Sequence, residues 1–328
     1  MKISFLFCFS LSFALSLAVT GCPKGSDKGT EQGPIRQTAM PRTEAPPVFS
    51  GNRAFTYLTD QTALGPRNPN SRGHDACLRY LTETLRGLAE DVRLQEFVHI
   101  GYGGERLALT NVIASFHPQA TARVLLCAHW DTRPRAEHDE DKSRRNEPIL
   151  GANDGASGVA VLLEIATLLR SSPPAIGVDI VLFDGEDYGM ETDHQRYLLG
   201  SRYFASQRAA DYVPRFGILL DMVGDRFLDL PKEGSSVRYA PDVVALVWNT
   251  AASLGIRQFT NEEGEEVLDD HIPLNEAGIR TIDIIDFNYP DQTNRFWHTH
   301  QDIPENCSAE SLEAVGTVIT QVVYGLRP

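Results

Sequence analysis

The chain predicts one α/β domain, a largely parallel sheet flanked by helices on both faces. Three observations predict it. Short apolar runs alternate with helical stretches along the last part of the 328-residue chain. That part is about 280 residues long, the size of one large domain, and length alone does not demand two. His129, Glu186, Asp187 and Asp221 each fall just after an apolar run, at the strand ends where sheets of this kind collect their ligands.

In chain order, residues 1–21 read as an export signal rather than fold. Met1-Lys2 is a short basic start, Ile3 to Val19 is almost continuously apolar, and Val19-Thr20-Gly21-Cys22 puts small residues before a cysteine. The pattern is that of a secretory signal, and the cysteine at the cut makes it a bacterial lipoprotein signal. A lipid on Cys22 would anchor a soluble body to a membrane; the plain alternative is an ordinary signal, or a short anchor helix, in which Cys22 is incidental. Pro23 rather than Asp after Cys22 favours the outer membrane where a cell has two. Residues 22–50 form a tether: from Pro23 to about Pro47 the chain is rich in Gly, Pro, Thr, Ser, Lys and Glu, and that composition cannot bury a core. Residues 51–328 are the folded body, with no internal repeat and no second apolar stretch long enough to span a bilayer.

Within the body, Asp75 to Leu88 has helical periodicity, with Leu78, Leu81, Leu85 and Leu88 on one side. Asn111 to Phe116 and Arg123 to Ala128 read as strands, and Gly158 to Arg170 is an apolar helix closed by Ser171-Ser172-Pro173-Pro174. A strand at Val178 to Phe183, a helix around Tyr203 and a strand at Phe216 to Leu220 follow. A helix at Asp242 to Leu254, a strand at Thr281 to Ile285 and a helix at Ala309 to Tyr324 complete the order.

The formal net charge of −14 argues against a nucleic-acid partner and for solubility. With Cys8 in the signal and Cys22 at the anchor, Cys77, Cys127 and Cys307 remain. Cys127 lies inside an apolar strand and reads as a packed thiol; an odd count in an exported protein leaves the disulfides open.

Several motifs carry chemistry, each with a bland alternative. His129-Trp130-Asp131 is an H-x-D after a strand: imidazole is a natural zinc ligand that a nearby carboxylate often orients, although a lone H-x-D is commonly structural. Asn153-Asp154 lies in a Gly-rich bend, where an N-cap contributing about 1 kcal/mol would explain either residue; no phosphate-loop lysine follows, and Asp154 reads as a metal ligand held by the turn. In Phe183-Asp184-Gly185-Glu186-Asp187, adjacent acids can divide the work of holding a metal and moving protons. Asp221 follows a strand, Asp269-Asp270-His271-Ile272-Pro273 precedes a helix, and Phe296-Trp297-His298-Thr299-His300 pairs an aromatic with a ligand-capable histidine. Solvated strand ends, helix caps or exposed histidines would explain each alone, but not the whole set in strand-end register. With no Gly-x-Ser-x-Gly elbow and no evident cysteine nucleophile, metal-assisted chemistry leads.

In this order the motifs, with Gly200-Ser201-Arg202, resemble the zinc-dependent peptidase family M28, over nearly the whole body from Gly65-Pro66-Arg67 onward. Within it the chain is most similar to exported bacterial members of the glutaminyl-peptide cyclotransferase branch. The resemblance implies a central twisted mixed sheet and zinc held by Asp154, Asp187 and His298. It implies Glu186 as proton shuttle, Asp221 and Asp269 in the hydrogen-bond network around it, and Trp297 lining the substrate pocket. The peptidase branch binds a second zinc through His129 and Asp221, positions this chain retains. Asp269, where aminopeptidases commonly carry Ser, and Trp297 before the ligand histidine favour the cyclotransferase. Two positions depart from the animal enzymes: Asp187 stands where they have Glu, and the Trp expected after it is absent, with Tyr197 in its place. The expected reaction closes N-terminal glutaminyl residues of peptides or proteins to pyroglutamate. The rival readings are a di-zinc aminopeptidase and a non-catalytic surface binding lipoprotein.

Overall fold

The computed structural model describes residues 45–190 and 192–328; the signal, Cys22 and nearly all of the tether lie outside the described residues. Helices α1 (Gly51–Thr62) and α2 (Arg72–Leu88) lead into strands β1 (Asp91–Ile100), β2 (Arg106–Phe116) and β3 (Arg123–His129). Helix α3 (Ala156–Ser171), strand β4 (Gly177–Phe183), helix α4 (Leu199–Gln207) and strand β5 (Gly217–Asp221) follow. Next come β6 (Leu230–Lys232), α5 (Gly234–Tyr239), α6 (Pro241–Leu254), β7 (Phe259–Glu263), α7 (His271–Glu276), β8 (Thr281–Ile285) and α8 (Ala309–Gly325).

The main sheet runs β1-β2-β4-β3-β5-β8. Strands β4, β3, β5 and β8 are parallel neighbours, while β1 and β2 join antiparallel at one side. The sheet is therefore mixed, as the resemblance implied. Sequence reading missed its edge, β1, whose alternating half-exposed and exposed residues lack the continuous apolar run of a buried strand. It missed α1 as well, where Ser50 caps the helix and Phe49 is buried against Gly316 of α8. A Cβ at Gly316 would stand 2.2 Å from the Phe49 ring, so only glycine admits that contact.

Period-two alternation splits the strand side chains between two faces. Val124, Leu126 and Ala128 of β3 join Val178, Ile180 and Leu182 of β4 in the larger core beneath α3 and α8. Leu125, Cys127, Val181 and Phe183 point the other way, into a smaller cluster with Phe204 of α4 and Leu274 of α7. Helix α3 is apolar nearly all round because α1, α2, α8 and the sheet surround it. Its buried Glu164 is paired with Arg53 of α1 at 2.6 Å. Cys77, Cys127 and Cys307 are buried free thiols. No described helix is long and apolar enough to cross a membrane.

Candidate active site

The site is assembled at the carboxyl ends of β3, β4 and β5. After β4 the chain turns through Gly185, at φ 74°, and sets Glu186 and Asp187 side by side. Asp131, just past β3, accepts the backbone N–H of Glu186 at 3.0 Å and of Asp187 at 3.3 Å. Its carboxylate also stands 3.6 Å from His129 Nδ1. The H-x-D motif thus sets a carboxylate beside the histidine and clamps the neighbouring turn. Asp184 serves elsewhere, paired with His74 Nε2 at 2.9 Å and accepting the Thr110 N–H at 2.6 Å.

Asp154 sits in a bend whose glycines are obligatory. Gly151 and Gly155 have φ of 63° and 98°, and a Cβ on Gly155 would lie 2.7 Å from the Asp131 carbonyl oxygen. Asp302 holds the bend from the other side, accepting the N–H groups of Asn153 at 2.7 Å and Asp154 at 3.1 Å. Helix α3 starts at Ala156 with Gly155 as its N-cap and no side-chain cap bond, so the capping alternative for Asp154 is not realised.

Two trios form around Asp154. His129 Nε2 lies 3.1 Å from Asp221 Oδ1 and 3.2 Å from Asp154 Oδ1. His298 Nε2 lies 3.6 Å from Asp154 Oδ2 and 3.5 Å from Asp187 Oδ1. Among the described residues these trios are the groups able to hold a metal ion, their donor atoms within 4.8 Å of one another and every residue buried. Asp187 Oδ2 and His298 Nδ1 are buried with no hydrogen-bond partner. Two carboxylates, one imidazole and an unpartnered carboxylate oxygen fit the three-ligand pattern of a catalytic zinc site.

Burial dominates the electrostatics. It raises the Glu186 carboxyl well above the ordinary carboxylate range, with His129 opposing and the Asp187 and Asp269 carboxylates adding to the rise. Asp221 is pushed up by burial to about 7, against the pull of His129. Burial disfavours charge on His129, yet Asp221 and the other acids around it raise the imidazole well above its ordinary value. His298 goes the opposite way: burial, reinforced by Arg133 and His138, holds it well below. The two histidines therefore prefer opposite charge states. A bound cation would draw the carboxylates back to their ionised forms.

Beyond Glu186 lies a buried acidic layer. Burial raises Asp269, Asp270 and Asp283, while His271 stands 3.3 Å from Glu233 Oε2 and 3.9 Å from Asp283 Oδ2. Beside the trios opens a cavity of about 960 Å³, lined by Trp297, Tyr197, Ile285, Phe287 and Val267, with Glu262, Glu263, Glu265 and Glu266 also on its wall. The Trp297 ring stacks on His298 at 3.6 Å between centroids, and Phe287 meets it edge-on at 5.1 Å.

The residues singled out in the sequence do converge. Asp154, Asp187, His298, His129 and Asp221 form the trios, Glu186 Oε2 is 3.9 Å from His129 Nδ1, and Trp297 and Tyr197 line the cavity. His300 is not brought in; its Nδ1 pairs with Asp139 at 2.7 Å. Sequence reading missed Arg133, Asp302, Glu233 and Asp283. An acid inside the apolar strand Thr281–Ile285 was a legible signal for Asp283.

The solved glutaminyl cyclase of Bacteroides thetaiotaomicron, bound to N-acetylhistamine, superposes with a TM-score of 0.83 at 40% identity, covering 86% of this chain and 100% of that one. A Zn-dependent exopeptidase from Parabacteroides distasonis superposes with a TM-score of 0.82 at 39% identity, covering 86% and 100%. In sequence, the glutaminyl-peptide cyclotransferase of Bos taurus is 23% identical over 286 residues, 77% of this chain and 76% of that protein. The family model described as peptidase family M28 matches residues 111–323, and the chain belongs to that family.

Proposed function

We propose that the chain is a glutaminyl-peptide cyclotransferase, an enzyme that closes N-terminal glutaminyl residues of peptides to pyroglutamate and releases ammonia. The observation that carries the reading is the inequality of the two trios. In one, His129 is already within hydrogen-bond distance of both its acids, at 3.1 and 3.2 Å. In the other, His298 stands at 3.5 and 3.6 Å from its acids, and Asp187 keeps an unpartnered oxygen. That supports a single metal, where the aminopeptidase reading needs two. The solved relative named glutaminyl cyclase, at 40% identity over its whole length, supports the same reading.

Zinc held by Asp154, Asp187 and His298 supplies a Lewis acid toward the γ-carboxamide oxygen. The rest is the work of the chain. Trp297 and Tyr197 in the cavity wall receive the glutaminyl side chain. The substrate's α-amine nitrogen bonds to the γ-carbon, the bond from that carbon to the amide nitrogen breaks, and a five-membered lactam and ammonia result. The amine is tethered to its target, so no external nucleophile is needed. Glu186 takes the proton from the attacking amine and returns it to the leaving nitrogen, and burial, by raising its carboxyl, suits it to both tasks. Asp221 and Asp269, themselves raised by burial, hold the protonation state of their neighbours.

The test is a peptide beginning with Gln incubated with the purified, zinc-loaded protein. Ammonia and a pyroglutamyl product are expected with one zinc per chain; free glutamine with two zincs would replace this reading by the aminopeptidase. A chain that binds no zinc would point instead to the binding lipoprotein. For the segment before the body, we infer an exported protein held by a lipid on Cys22, residues 1–21 being the removed signal, 22–50 the tether and 51–328 the catalytic body. Its support is the apolar run from Ile3 to Val19 followed by Thr20-Gly21-Cys22, and a mature protein whose Cys22 carries no lipid by mass spectrometry would remove it.

A further inference from the structure

We propose that Arg133 is a positioning residue that ties the metal site to the substrate pocket, its guanidinium gripping Asp187 on one side and the Tyr197 hydroxyl on the other. The inference rests on the zinc-site reading given above.

Arg133 is completely buried. Its Nη1 donates to Asp187 Oδ1 at 2.5 Å and to the Asp187 carbonyl oxygen at 3.2 Å. Its Nη2 donates to the Tyr197 hydroxyl at 2.8 Å. Nε and Nη2 also donate to the two Glu137 carboxylate oxygens, each at 2.8 Å. The planar fork is thus used along its whole rim, in directions a lysine ammonium cannot reach together.

The division of the Asp187 carboxylate carries the argument. Oδ1 is engaged by Arg133, while the buried Oδ2 has no hydrogen-bond partner. The oxygen that Arg133 engages is also the one nearest His298 Nε2, at 3.5 Å, so the guanidinium fixes the rotation of the carboxylate and with it the edge that Asp187 turns toward the trio. A buried guanidinium is costly unless paired, and here two carboxylates, Asp187 and Glu137, meet it. The same group reaches the cavity wall: its central carbon is 5.3 Å from the Tyr197 ring centroid, and Tyr197 lines the cavity. A shift of the fork therefore moves a ligand and a wall together.

The test compares Arg133→Lys, Arg133→Gln, Tyr197→Phe and Glu137→Gln in the full chain. Zinc affinity is read by competition with a chromogenic chelator, and kcat and KM with a Gln-initiated peptide. Both Arg133 variants should lose zinc affinity by about 10- to 100-fold, the usual cost of removing a group that orients a ligand, and should also raise KM. Tyr197→Phe should raise KM and leave zinc affinity unchanged. Glu137 is partly exposed and touches the site through Arg133, so Glu137→Gln should stay folded and weaken zinc in the same direction by less. A folded Arg133→Lys with wild-type zinc affinity overturns the proposal. If the Arg133 variants do not fold, unchanged zinc affinity in Glu137→Gln overturns it. A wild-type protein that binds zinc without cyclising the peptide defeats the earlier reading alone, because the chelator measurement still decides the role of Arg133.

Discussion

The two histidine trios share Asp154 and differ in almost everything else. His298 is pushed by its surroundings toward the neutral form, has Trp297 stacked on it, and stands too far from its acids to hydrogen-bond them. His129 is pulled toward its protonated form and closes on Asp154 and Asp221 without help. The same residue types, in the same turn-borne arrangement, thus yield one trio that stands open between its members and one that closes on itself. The difference comes from the neighbours: Arg133 bonds to Asp187 on the His298 side, while Asp131, Asp221 and Glu186 gather round His129.

The sharpest way to break the comparison is to remove each histidine in turn. His298→Ala should abolish stoichiometric zinc and activity together, whereas His129→Ala should keep one zinc per chain by metal analysis. Equal loss of zinc in both would make the trios equivalent. Next in size is Glu186→Gln, which should retain zinc and lower turnover by at least about a hundredfold, the scale of general acid–base contributions; a near-normal rate would take Glu186 out of the mechanism.

The smallest effect concerns the acidic layer beyond the His129 trio. Burial pushes the Glu233 carboxyl up, but the His271 imidazole 3.3 Å away and the hydrogen bonds from Ser236 and the Val267 N–H outweigh it and bring it down to about 2 from an ordinary 4.5. A carboxylate depressed on folding contributes stability that is fully present above pH 4.5 and lost as the pH falls toward 2. Glu233→Gln should therefore lower stability at pH 7 by at most about 3 kcal/mol, with the deficit vanishing at the acid end. A chemical-denaturation series across that range checks it, and a deficit independent of pH would show that Glu233 matters only as a packed group.

The sequence made the strand-end register legible because parallel strands buried on both faces are written as unbroken apolar runs, and ligands follow where those runs stop. Thr281–Ile285 was read to the residue, and β3, β4 and β5 to within a residue at each end. Edge strand β1 and helix α1 were not legible, since their half-exposed patterns resemble surface loops. In the site, the donors were readable as motifs because each stands beside a glycine, a tryptophan or another acid. Arg133, Asp302 and Glu233 were not, because their partners are 54, 149 and 38 residues away along the chain or reached only through folding. Contacts of that span leave no local pattern.

One of those long bonds sets a schedule. Asp302 fixes the bend that carries Asp154, and His298 comes from the same short stretch. During synthesis, then, a chain that stops short of His298 has neither the third donor nor the brace for the first. Strands β3, β4 and β5 precede that stretch in the chain, so the framework that carries the centre is made before the centre can be completed.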